Sequence, residues 1–174
     1  MKFYQRGIIA AILLLWGFLP VTAQIRKARI GVNGLTCSLC VRSVEKSIME
    51  LDFIDSVRMN LAETEGVIYF TPRQKVSLNS LATKVVDAGF SVRSLEVEMD
   101  FSLARPVGSQ CFQLDNDLYV FAEEKKSPVK GLTKVRIIGE NFLPKKEYKK
   151  WTALHPTTCP VDDLKVEETY FIIL

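Results

Sequence analysis

GLTCSLC, residues 34–40, sets two thiols three positions apart where one hydrophobic period gives way to another. Upstream, Ala28, Ile30 and Val32 alternate with Lys27, Arg29 and Gly31, the two-residue period of a half-buried strand. Downstream, Val41, Val44, Ile48 and Leu51 recur at helical spacing while Arg42, Glu45, Lys46 and Glu50 occupy other faces. The stretch is therefore a strand-to-helix loop, with Cys37 in the loop and Cys40 in the first turn of a helix that begins near Ser38.

Working outward, Val57, Met59 and Leu61 alternate with Arg58 and Asn60 and read as a second strand, with Met59 on its core side. Glu63 to Gly66 reads as a hairpin connection, and Val67 to Thr71 as the returning strand, closed by Pro72, which has no N–H to give a ladder. Ser77 caps a second helix whose Leu78, Leu81, Ala82, Val85 and Val86 are expected to face inward, with Gly89 where a C-terminal glycine belongs. Phe90 to Val97 is the fourth strand. The order strand, helix, strand, strand, helix, strand predicts an α+β chain that opens with a ferredoxin-like βαββαβ module of about 70 residues, two helices covering one face of an antiparallel sheet.

Residues 27–98 resemble a heavy-metal-associated domain, the type found in copper chaperones, copper-exporting P-type ATPases and periplasmic mercury-binding proteins. That family's Gly-Met-Thr-Cys-x-x-Cys loop is matched by Gly34-Leu35-Thr36-Cys37-Ser38-Leu39-Cys40, and its Gly-aromatic pair before the last strand by Gly89-Phe90. Leu35 departs from the usual Met, an apolar exchange that preserves packing beneath the loop. The resemblance covers fewer than half of the residues. It implies that Cys37 and Cys40 are metal ligands and that Phe90 packs near them; the architecture, a module with an appended second half, suggests a target such as a membrane metal transporter or a metalloenzyme under assembly.

The residues carry the same chemistry without the resemblance. Unpaired N–H groups and the macrodipole at a helix N-terminus favour thiolates, and two thiolates suit the soft ions Cu(I) and Hg(II). Zinc wants four ligands, and the module holds no His. A two-thiolate clamp on an open loop also leaves room for an incoming thiolate, as a carrier requires. Two readings compete: a structural disulfide with no further role, as thiols outside the cytosol tend to pair, and a thiol-disulfide oxidoreductase with Cys37 as nucleophile and Cys40 as resolving thiol, in which Pro72 imitates the cis-proline facing such motifs. Nothing resembles a Ser-His-Asp set or a paired acid and base, and the chain has a single His, so an enzyme is not expected.

Residues 99–174 change character. Short apolar alternations at Cys111–Phe121, Thr133–Ile138 and Glu168–Leu174 are separated by polar and proline-containing stretches, and Lys145–Leu154 alone looks helical. They predict a separate small β-rich domain, an OB-like barrel or a small sandwich, which would dock the module to its target. Cys111 and Cys159 would close a loop of about 48 residues as a disulfide; the alternative gathers them with His155 as a second metal site. Tyr148 and Trp151 with Lys149 and Lys150 read as a partly amphipathic, solvated helix.

The beginning of the chain reads as an address. Lys2 and Arg6 precede an apolar run from Gly7 to Val21, and Val21-Thr22-Ala23 supplies small residues for cleavage, so residues 1–23 are expected to be a signal peptide and the product exported to a periplasm or the extracellular medium. No second long apolar run follows, so a stable membrane anchor is not expected. The net charge of +3 is small and the basic residues are interspersed with acids, which argues against a nucleic-acid groove or a polybasic membrane patch.

Overall fold

The computed structural model describes residues 25–123, 129–154, 159–160 and 164–174. The expected leader and His155 lie outside the described residues. No helix among those described is long and apolar enough to cross a membrane.

The first half follows the sequence closely. Strand β1 (Ile25–Asn33) leads into helix α1 (Ser38–Ile48), strands β2 (Ile54–Asn60) and β3 (Glu65–Phe70), helix α2 (Leu78–Asp87) and strand β4 (Ser91–Asp100). These strands pair antiparallel in the order β2-β3-β1-β4, which is the ferredoxin-like arrangement. Both helices bury one stripe: Val44 and Ile48 from α1, and Leu78, Leu81, Ala82 and Val85 from α2, against Ile30, Val32, Ile68 and Leu95 of the sheet. Two details differ from the sequence reading. The hairpin turn is Leu61 to Thr64, with Thr64 at φ 51° and Val32 N–H donating to its carbonyl at 2.9 Å, so Leu61 leaves the strand and β3 starts two residues early. Val86 is 59% exposed, because the buried residues of α2 run i, i+3, i+4, i+7 and the next position turns off that stripe.

The second half contributes β5 (Arg105–Pro106), β6 (Cys111–Leu114), β7 (Asp117–Phe121), β8 (Leu132–Ile138), α3 (Lys145–Leu154) and β9 (Glu168–Ile173). These strands do not close an OB-like barrel. They continue the first sheet: β8 pairs antiparallel with β4, then β9, β7, β6 and β5 follow, giving nine strands in one open order among the described residues. A boundary at residue 98 falls within β4, which is bonded to β1 on one side and β8 on the other. The physical reason is β4 itself: it is longer than the module requires, and its far edge offers Glu96 to Asp100 as a ladder that Leu132 to Arg136 completes.

One large core lies on the helix-covered face and runs through both halves, from Ile25 and Val44 to Tyr119, Phe121, Phe142, Tyr170 and Ile172. A second, small cluster of Cys111, Leu118 and Val120 lies on the opposite face, with Phe171 and Val107 against it. Strand β7 is buried on both faces as a result, and it pairs parallel with β9.

A polar knot joins the halves around the start of α2. Tyr170 of β9 sets its hydroxyl 3.1 Å from Leu78 N and 3.4 Å from Asn79 N, so it accepts from the first two N–H groups of the helix, while Ser80 N donates to Ser77 Oγ at 3.1 Å. The same hydroxyl donates to the Glu168 carboxylate, which also accepts from Ser77 Oγ at 3.2 Å. Lys75, in the loop before α2, is bonded to Glu167 and lies 3.3 Å from Oδ1 of Asp117. Asp117 is 2% exposed, and burial raises its carboxyl above the ordinary range despite the opposing Lys75 charge. Lys75 is held above its ordinary value by its hydrogen bond to Glu167.

Candidate metal centre

The loop at residues 34–40 is shaped by backbone requirements at both sides. Gly34 adopts φ +86°, the left-handed region that favours glycine, and turns the chain off the end of β1. Leu35 then drops into the core at 4% exposure, so the apolar residue standing in for Met pins the loop from beneath as expected. Thr36 is exposed, and Cys37 takes the extended conformation (φ −147°, ψ 159°) of an N-cap. Its Sγ accepts from Cys40 N at 3.1 Å. A sulfur thus occupies the place where a Ser or Asp oxygen would cap the helix, against the unpaired N–H groups that stabilise negative charge.

Cys37 and Cys40 are brought together and joined as a disulfide, with their Cα atoms 5.2 Å apart. Cys37 is exposed and Cys40 half-buried, with Cys40 packed against the core. Between them Leu39 stands 73% exposed. Acidic residues are absent from the first turn of α1, so no carboxylate competes with thiolate charge there. Among the described residues no group of three or more His, Cys, Asp or Glu side chains is placed to hold a metal, so the two cysteines are the whole donor set that this loop gathers.

The second support comes from α2. Its C-terminus closes with Phe90 N donating to Val85 O at 3.1 Å and Gly89 N to Val86 O at 2.8 Å, Gly89 being at φ +89°. This reversal lays the Phe90 ring against the turn: a Cβ on Gly34 would stand 3.6 Å from Phe90 Cδ1. Phe90 therefore backs the cysteine loop.

Residues 29–91 match the model of the heavy-metal-associated domain. Over 61 residues the chain is 36% identical to the copper chaperone CopZ of Bacillus subtilis, a match covering 87% of that protein and 35% of this one. The chain belongs to the heavy-metal-associated domain family. It is also 30% identical over 86 residues to the periplasmic component of the mercuric transport protein of Pseudomonas fluorescens, covering 93% of that protein and 49% of this chain. Among solved structures, oxidized MerP from Ralstonia metallidurans CH34 aligns at a TM-score of 0.36 and 26% identity, covering 39% of this chain and 93% of that one. The chain spans 8 to 11% of the length of several copper ATPases that it matches, such as that of Archaeoglobus fulgidus at 8%.

The other sequence candidates fall elsewhere. Cys111 of β6 is joined to Cys159 as a disulfide, with Cα atoms 6.0 Å apart, and Cys111 is buried in the small second cluster. The pair serves as a staple in the heavy-metal-associated protein's second half, and the alternative that adds His155 rests on a residue outside those described. Pro72 does not face the cysteine loop. It follows β3, whose first residue Glu65 pairs with Gly31 near the loop and whose last, Phe70, lies at the opposite end of the sheet. The proline that the oxidoreductase reading required is thus a strand's length away. Met59 is half-buried against the core, and its N–H donates to Glu45 Oε1 at 2.8 Å. The Tyr170 cap on α2 is not legible in the sequence. Its donors lie 91 and 92 residues away in sequence, and a tyrosine in an apolar strand carries no local sign of such a partner.

Proposed function

We propose that the chain is an exported, non-enzymatic carrier or sequestering protein for a soft metal ion, Cu(I) first and Hg(II) as the alternative, held by the thiolates of Cys37 and Cys40. The observation that carries this reading is the Cys37 sulfur serving as N-cap of α1, 3.1 Å from Cys40 N, with Leu35 and Phe90 fixing the loop from below. A thiolate there is favoured by the helix N-terminus, and two soft sulfurs on an exposed turn suit a low-coordinate ion. Release by ligand exchange follows from exposure, because an incoming thiolate reaches the metal before either resident sulfur has left.

The disulfide sets the order of events. Loading requires reduction by an external thiol or dithiol, which supplies two electrons and leaves two thiols; these lose their protons as the metal binds. The recipient we favour is a membrane metal transporter or a metalloenzyme, and residues 99–174 would present the module to it.

The test is an anaerobic titration of the reduced protein with Cu(I) against a competing chelator, beside the Cys37→Ser/Cys40→Ser variant. About one ion per chain, lost in the variant, is expected. Equal binding by the variant would sink the clamp. Catalytic turnover of a model disulfide, abolished by Cys37→Ser, would instead establish the oxidoreductase.

A further inference from the structure

The charge balance of the whole chain conceals a local excess. Helix α3, Lys145–Leu154, places Lys145, Lys146, Lys149 and Lys150 on two successive turns, with Glu147 as its single acid. All four lysines are exposed, and none has an ion-pair partner among the described residues. Lys145 stands one turn from Lys149, and Lys146 one turn from Lys150, so like charges face each other twice at i, i+4, an unfavourable arrangement in an isolated helix. Lys145 and Lys146 also sit in the first turn, the end where the macrodipole disfavours cations. The other side of the helix is fixed to the body: Tyr148, Trp151 and Thr152 recur at i, i+3, i+4 and are half-buried, and the Trp151 ring meets Phe171 of β9 edge-on at 5.3 Å. A stripe that violates two local electrostatic preferences on a helix packed in place is a surface awaiting negative charge.

We propose that α3 is an electrostatic docking surface for an anionic phospholipid membrane. The choice of residue favours lipid over a protein or nucleic-acid partner. All four cations are Lys, compact charges on flexible stems suited to a fluid array of headgroups, whereas Arg supplies the planar, directional contacts of specific recognition. The aromatic residues of the helix, Tyr148 and Trp151, lie on its packed side and not as an exposed row on which bases could stack. Such a surface holds the protein against a membrane reversibly, and it does not depend on the metal-binding reading.

The experiment is co-sedimentation of the whole chain with vesicles of phosphatidylcholine alone and of phosphatidylcholine with about a third phosphatidylglycerol. The readout is the ratio of binding to the two vesicles. Binding at least about tenfold stronger to the anionic vesicles, weakening as salt is raised, is expected. Replacing the four lysines by Gln, a good helix former, should bring the ratio near one, and replacing them by Arg should preserve it. Equal binding to both vesicles, an undiminished ratio in the folded Gln variant, or loss in the Arg variant would each overturn the proposal. So would an absence of vesicle selectivity beside Lys-dependent binding to polyglutamate, which would assign the stripe to an acidic protein.

Discussion

Tyr170→Phe isolates one hydroxyl at the joint between the two halves. The ring stays in the core, where it lies 5.3 Å from Tyr119 and 6.4 Å from Phe142, so packing is retained and only hydrogen bonds are removed. The lost hydroxyl accepts from Leu78 N and Asn79 N and donates to Glu168. Leu78 is fully buried, so its N–H is left without water at a cost of roughly 1–3 kcal/mol. Asn79 is half-buried and Glu168 keeps Ser77 Oγ, so both recover part of their hydration. Loss of a helix cap typically costs about 1 kcal/mol, and a net loss of about 2 kcal/mol is the expected sum of these partial effects. With a urea m-value of about 2 kcal/mol/M, the midpoint should fall by about 1 M. Near-UV and far-UV circular dichroism should move together, since the hydroxyl bridges α2 and β9. An unchanged midpoint, or a shift confined to one of two separate transitions, would refute the account of Tyr170 as the cap that welds the halves.

Asp117→Asn tests the buried carboxyl beside it. Burial raises its folded pKa, so the folded protein takes up this proton at higher pH than the unfolded chain; the stability linked to that proton is full below the unfolded value and is lost as pH rises through the folded one. The variant should therefore gain on the wild type as pH rises from about 4, the ordinary carboxylate range, through the raised folded value, measured as the difference in urea midpoints, and parallel profiles would exclude Asp117 as the source. Replacing Cys111 and Cys159 by Ala opens a loop spanning 48 positions and should lower stability by about 4 kcal/mol on the chain-entropy model, read as a drop in the non-reducing urea midpoint; a midpoint within error of the wild type would show that β6 is held by the ladder alone.

The module was legible because each of its signals is local. The alternation from Lys27 to Val32, the stripe of Val44 and Ile48, the Ser77 cap and the Gly89 reversal can each be read within a few residues, and the cysteine spacing fixes where they meet. Val86, apolar and beside Val85, looks like core until the helical angle is followed one step further. Pairing over distance was not legible. The strands Leu132–Ile138 and Glu168–Ile173 were visible, but which edge they join is decided by β4's unfilled ladder and by Tyr170 reaching α2, neither of which has a local pattern. One sign was there to be read: Leu118 to Phe121 is apolar without alternation, as in a strand covered on both faces, and β7 is such a strand.

The shared sheet constrains how anything reaches the cysteines. A lone ferredoxin-like module has two free edges, β2 and β4, and either can accept a partner strand. Here β4 is filled by β8, and β2 presents exposed Asp55, Arg58 and Asn60, charged and polar groups that discourage strand addition. What remains accessible is the tip where the β1–α1 loop lies over Phe90, with the exposed Leu39 between the two cysteines in sequence. The two ends of α2 then have separate duties. Its first turn is gripped by Tyr170 from the second half, and its last turn backs the cysteine loop through Phe90. The second half is thus tied to the first turn of the same helix whose far end supports the site.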